Sequence, residues 1–308
     1  MPLLRSAFIA LSRNRSLRRF AERSRMGVKM SSRFIAGMEI EDALRVAKAV
    51  NEQGMAVTLD SLGESVTSEA EAQRAAAIYH RLLDAIAERK LDANISVKLT
   101  QMGLGLSAEL AEGIAESLAR HAAATGNFVR IDMEDSSLTQ VTLDLVRRIH
   151  AQPALQGAIG IVIQAYLYRS QEDIAQLLAE GIRVRLCKGA YKEPAEVAFP
   201  RKADVDRNYI RLSCALLESG IFHGLATHDE AMIAEAKSYA LQQGIDRSRF
   251  EFQMLFGVRR DLQRKLVADG YKVRVYVPFG GEWYPYFMRR LAERPANVLF
   301  IAKNLLRK

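Results

Sequence analysis

The chain has 308 residues, 49% apolar and 26% charged, which excludes bulk disorder and leaves room for one large or two medium domains with a sizeable core. Its formal charge is +8, yet residues 1–35 hold nine Arg or Lys against the single acid Glu22, and the remainder carries 35 basic and 35 acidic residues. A nucleic-acid footprint spread over the body is therefore excluded, and no nucleic-acid partner is expected.

Residues 1–50 read as a basic helical arm. In it Leu4, Phe8 and Leu11 share one helical face between Arg5, Arg13 and Arg15, as in a helix lying on a membrane surface; packing on the body is the competing reading. Arg5 interrupts any signal-peptide core, so secretion is not expected, although the Arg-rich, acid-poor composition overlaps with that of a transit peptide.

From there onward β-rich runs alternate with helical spacing. The runs are Ala56 to Asp60, Ile95 to Leu99, Phe128 to Asp132, Ile159 to Gln164, Ile182 to Leu186, Phe222 to Thr227, Phe250 to Gln253 and Lys272 to Val277. Helices are predicted over Ser68 to Arg89, Ala108 to Ala124, Leu138 to Ala151, Gln171 to Ala179, Ala203 to Glu218, Glu230 to Gln243, Arg259 to Asp269 and Tyr284 to Glu293. Gly126, Gly181, Gly220, Gly244 and Gly270 stand where helix stops belong. Eight strand-then-helix units is the count of an α/β fold of the (β/α)8 TIM-barrel type. The chain accordingly divides into an arm, 1–50, and a barrel catalytic domain, 51–308, that ends in a C-terminal helix.

In such a barrel chemistry sits at the carboxyl ends of the strands. The predicted strands end in Asp60, Lys98, Asp132, Gln164, Arg185 with Lys188, Thr227 with His228, Gln253 and Tyr276, a mixture of cations, carboxylates and amides. Any one of these is an ordinary loop-opening polar residue; together they describe one site. After the eighth strand, Tyr286, Arg289, Arg290 and Glu293 share a helical face, and adjacent arginines suit a bidentate clamp on a carboxylate or pyrophosphate. The Gly103 to Ala108 segment matches a dinucleotide fingerprint but lacks the acid expected about 20 residues on, so it reads as a flexible loop. Lys98 is open to two roles, a charge partner for an anionic substrate or a Schiff-base nucleophile of a barrel lyase. His228 is open to three: general base, flavin contact or metal ligand. No second His stands at another strand end, so no metal is expected. Cys187 and Cys214 cannot build a disulfide framework, and the longest apolar stretch, 158–168, is too short to span a membrane and contains Gln164.

The segments Ile95-Ser96-Val97-Lys98-Leu99-Thr100, Ile131-Asp132-Met133-Glu134, Gln164-Ala165-Tyr166 and Arg185-Leu186-Cys187-Lys188-Gly189-Ala190-Tyr191 carry a family likeness. So do Ala226-Thr227-His228, Glu251-Phe252-Gln253-Met254-Leu255 and Arg274-Val275-Tyr276 through Arg289-Arg290-Leu291-Ala292-Glu293-Arg294-Pro295-Ala296-Asn297. In this order and spacing they resemble proline dehydrogenase, in its short monofunctional bacterial form and in the corresponding domain of the bifunctional proline utilisation A proteins. The resemblance implies an FAD-dependent barrel that oxidises L-proline to 1-pyrroline-5-carboxylate, the first step of proline degradation. Electrons would pass to membrane quinone and the product to a separate 1-pyrroline-5-carboxylate dehydrogenase. It further implies that Lys98, Arg289 and Arg290 hold the substrate carboxylate, that Asp132 lies beside the substrate, and that Tyr276 closes over the ring while Tyr286 walls the pocket with Leu186. FAD would be met by Met133, Gln164, Lys188, Gly189, Ala190, Thr227 and His228, by Arg185 near the flavin N5, and by Glu293 toward the ribityl chain or bracing the arginines. Within the family 4-hydroxyproline is the competing substrate, and Tyr276 favours the unhydroxylated ring. The expected location is cytoplasmic, in transient contact with the inner face of the cell membrane.

Overall fold

The computed structural model describes residues 32–63, 65–284 and 286–288. The expectations for Arg289, Arg290 and Glu293, and for the face formed by Leu4, Phe8 and Leu11, lie outside the described residues.

The strands and helices alternate as their periodicity predicts. After α1 (Ile40–Asn51) come β1 (Ala56–Ser61), α2 (Glu69–Glu88), β2 (Ala93–Lys98), α3 (Ala108–Ala124), β3 (Val129–Asp132), α4 (Thr139–His150) and β4 (Ile159–Gln164). They are followed by α5 (Ser170–Ala179), β5 (Arg183–Cys187), α6 (Lys202–Glu218), β6 (His223–Ala226), α7 (Glu230–Gln242), β7 (Phe250–Leu255), α8 (Arg260–Ala268) and β8 (Lys272–Phe279). Local chemistry sets the boundaries. Ser68 and Ser107 accept from the backbone N–H of Glu71 and Leu110 at 3.3 and 3.2 Å, satisfying donors that the first turns of α2 and α3 leave open. The five glycines predicted to stop helices all adopt positive φ, where a side chain would be strained.

All eight strands are parallel and each pairs with its sequence neighbour; β8 returns to β1 in register from Ala56↔Arg274 to Ser61↔Phe279, closing a (β/α)8 barrel. Side chains alternate across the sheet. Outward positions such as Val57, Leu59, Val97, Ile131, Ile161 and Val275 are buried in the main core with the helices. Many inward positions are polar: Thr58, Ser96, Arg130, Arg185, Glu251 and Gln253 are all buried. Barrel interiors are more often filled by branched aliphatic residues, so this one must satisfy its donors and acceptors internally.

The ends of the described chain complete the barrel. Ala43, Leu44, Ala47 and Val50 of α1 are buried in the same core as β1 and β8. Beyond β8, Trp283, Tyr284, Tyr286, Phe287 and Met288 join Phe34, Ile35, Leu62 and Val258 in a second apolar cluster. Leu62 and Val258 follow the carboxyl ends of β1 and β7, so this cluster lies at the end of the barrel where strand-end chemistry collects.

Candidate functional site

The site is centred on Asp132, the last residue of β3. Its Oδ1 accepts from Ser96 Oγ at 2.6 Å and from an Arg185 Nη at 2.9 Å, and its Oδ2 accepts from the Tyr276 hydroxyl at 2.7 Å. Lys98 Nζ lies 3.8 Å from the same Oδ2 and 3.4 Å from Asp60. The Arg185 guanidinium carbon is 5.2 Å from the centre of the Tyr276 ring, a cation stacked on an aromatic face. Four strands, β2, β3, β5 and β8, thus deliver the four residues that sequence spacing had placed in one site.

Electrostatics fix their states. Burial, opposed by Lys98 and reinforced by Asp132, lifts the Asp60 carboxyl above its ordinary range. Burial and the carboxylates of Asp132 and Asp60 push the Tyr276 phenol well above its own, so Tyr276 stays a hydrogen-bond donor. Lys98 stands within ion-pair distance of both the Asp60 and the Asp132 carboxyl groups, the arrangement of an electrostatic anchor. Burial raises the Cys187 thiol to about 12, which keeps it from the thiolate form that oxidants attack.

The residues expected to meet FAD form a neighbouring group. Gln164 donates from Nε2 to the carbonyl oxygens of Met133 and Glu134, both at 3.2 Å, while its Oε1 is buried without a partner. An orphaned buried acceptor calls for an outside donor, and a flavin ring edge carries an N–H. Gly189 has φ +112, and a Cβ there would stand 2.5 Å from the Tyr166 ring. Lys188 pairs with Asp206 at 2.6 Å and Asp229 at 2.9 Å, and Lys202 also pairs with Asp206. Ala190 is exposed. Thr227 Oγ1 accepts from the Asp229 N–H at 3.1 Å, and His228 Nε2 accepts from the Leu255 N–H at 2.9 Å, which leaves the ring proton of a neutral His228 on Nδ1. The glycine at 189 answers to the Tyr166 ring, and the feature that fits FAD is the unpartnered Gln164 oxygen, which a flavin N–H would satisfy.

Tyr286 is buried in the second apolar cluster and Leu186 in the main core. The segment from Gly103 opens with φ +95 as a turn into α3. Reading strand ends alone passed over Ser96, Lys202, Asp206 and Asp229. Polar alternation within β2 was the available signal for Ser96, and the i,i+4 spacing of Lys202 and Asp206 for the second group.

A family model described as proline dehydrogenase matches residues 43–303. The chain is 43% identical over 308 residues to proline dehydrogenase 1 of Bacillus subtilis (strain 168), covering 99% of this chain and 100% of that protein. It is 42% identical over 282 residues to a proline dehydrogenase of Deinococcus radiodurans, covering 90% of each. Among solved structures it resembles proline utilization A from Bdellovibrio bacteriovorus inactivated by N-propargylglycine, with a TM-score of 0.82 and 30% identity. That likeness covers 87% of this chain and 33% of the larger one.

Proposed function

The chain belongs to the proline dehydrogenase family, and from that premise we propose that it oxidises L-proline to 1-pyrroline-5-carboxylate with FAD as cofactor and a membrane quinone as final acceptor. The carrying observation is the Asp132 cluster: a carboxylate held by Ser96, Arg185 and Tyr276 with Lys98 beside it, at the carboxyl ends of the strands. Proline is a small zwitterion, so its burial requires fixed charge of both signs. Lys98 supplies the cation for its carboxylate, and Arg289 and Arg290, outside the described residues, are proposed to join it. Tyr276 and Ser96 hold Asp132 beside the ring nitrogen, where it orients the substrate first and accepts a proton second. The bonds from Ser96, Arg185 and Tyr276 hold the Asp132 carboxylate in place and with it the distance and angle of approach.

The chemistry FAD would supply when bound is acceptance of a hydride from the ring carbon next to nitrogen. This chain's part is to place it. Gln164 offers its unpartnered Oε1 to the ring edge, and Arg185 offers a fixed cation near N5. Met133, Thr227 and His228 are assigned to the same cofactor, as is Ala190, beside Gly189 in the loop that follows β5. Lys188 and Lys202 lie where anionic phosphates would compete with Asp206 and Asp229 for their ammonium groups. Glu293, outside the described residues, is assigned to the ribityl chain or to bracing the arginines. The enzyme is read as cytoplasmic, meeting the membrane through its basic amino-terminal segment and handing product to a separate dehydrogenase; among the described residues no helix is long and apolar enough to cross a membrane.

The purified protein should be yellow, and its flavin absorbance should bleach anaerobically with L-proline faster than with 4-hydroxyproline or other cyclic amino acids. A colourless protein trapped by borohydride with a carbonyl substrate would overturn the assignment in favour of a Lys98 lyase.

A further inference from the structure

A hydrogen-bonded column descends from the site along the barrel axis. Arg185 donates from Nε to Oε1 of Gln253. Gln253 donates from Nε2 to Oε1 of Glu251 at 2.6 Å, and Arg274 Nε donates to the same oxygen at 2.8 Å. Arg185, Gln253 and Glu251 are each 5% exposed, so a lost partner is not cheaply replaced by water. The column also has a direction. A guanidinium can only donate and an ionised carboxylate can only accept, so the amide between them has a single allowed orientation. Burial pushes the Glu251 carboxyl up, but Arg274 and the hydrogen bonds more than offset this and hold it ionised. Room for the amide comes from β6, where a Cβ on Gly224 would lie 2.3 Å from Gln253 Nε2.

We propose that Gln253, locked in one orientation by Glu251 and Arg274 at the barrel's inner floor, is a positioning residue that sets where Arg185 presents its charge to the reacting centre. Arg185 is held by Asp132 and Ser96 on the site side, at 2.9 and 3.1 Å, and by Gln253 on the floor side. Flipping the amide would set its NH2 against the Arg185 Nε–H, two donors without an acceptor, and drive the guanidinium toward the site. Glu251 thus acts on the chemistry through two intervening side chains, and Arg274 acts through Glu251.

This rests on the reading of Arg185 as the cation beside the flavin, and the test separates the two. The flavin-loaded full chain is compared with Gln253→Met, Gly224→Ala, Glu251→Met, Glu251→Gln and Arg185→Met. The measurements are flavin midpoint potential, kcat, and Kd for cyclopentanecarboxylate, a ring carboxylate without the amine. Gln253→Met, Gly224→Ala and Glu251→Met should each lower kcat about tenfold or more and drop the two-electron potential by about 30 mV, the equivalent of tenfold. Carboxylate affinity should stay within about twofold. Glu251→Gln, which keeps an acceptor oxygen, should restore both readouts. Gly224→Ala displaces the amide without touching the Glu251–Arg274 pair, and so decides the matter if Glu251→Met does not fold. Wild-type potential and kcat in Gln253→Met and Gly224→Ala, alongside losses in Arg185→Met, would overturn the relay. An Arg185→Met protein with unchanged potential would instead remove the reading beneath it.

Discussion

Tyr276 joins two functions in one side chain. Its hydroxyl anchors Asp132 at 2.7 Å while its ring lies under the Arg185 guanidinium. Both contacts fix the ring in the site, and on the proposed reading it closes over the bound proline ring. Tyr276→Ser should therefore lower kcat/KM for L-proline by about tenfold to a hundredfold, from the lost carboxylate-bound hydroxyl, and raise the hydroxyproline-to-proline ratio. Parallel steady-state assays on the two substrates read that ratio; an unchanged value would count against Tyr276 as the discriminating residue. Lys98, Asp132, Arg185 and Tyr276 were each legible from sequence because a barrel predicts where strand ends converge. Their mutual bonds were not: Lys98 lies in β2 and Tyr276 in β8, and only closure of the sheet brings them to one carboxylate.

Individual elements carry a separate burden, and α1 illustrates it. This helix buries Leu44 and Ala47 against β1 and β8. Leu44→Ala should cost about 2–5 kcal/mol of stability, as for other buried leucines, with flavin-site chemistry unchanged in the folded fraction. Urea unfolding monitored by circular dichroism measures it, and a loss below about 0.5 kcal/mol would show that α1 is dispensable to the barrel wall. His223 marks another junction, between β5 and the end of α6. Its Nδ1 accepts from the Val184 N–H at 2.9 Å and its Nε2 meets Ser219 Oγ at 3.0 Å. Burial, with Arg130 nearby, depresses its pKa from 6.5 to about 3. The unfolded chain binds this proton more readily than the folded one, so the contribution is complete above pH 6.5 and is lost as pH falls toward 3. Denaturation curves between pH 6 and 4 should slope by up to about 1.4 kcal/mol per pH unit from this residue, and His223→Gln should flatten the slope. Helix and strand limits came through from sequence nearly intact, since they depend on local periodicity, serine caps and glycine stops.

At the scale of the whole molecule, charge is divided by region. Residues 1–35 hold the entire net excess of +8, while the barrel balances its cations with carboxylates. If the amino-terminal segment docks on an anionic membrane, deleting residues 1–24 should spare turnover with a soluble dye acceptor and impair it with quinone in liposomes. Equal loss with both acceptors would favour packing on the barrel. The sequence by itself determined the eight strands, the seven helices described between them, their order and the residues at the strand ends, because period-two and period-3.6 patterns are written locally. Tertiary structure alone decided the polar column inside the barrel and the orphaned oxygen of Gln164. It also turned the chain after β8 toward the mouth while α1 joined the wall. Those features depend on which side chains meet across a closed sheet, and partners as far apart as Thr58 and Arg185 or Asp132 and Tyr276 meet only once the barrel has closed.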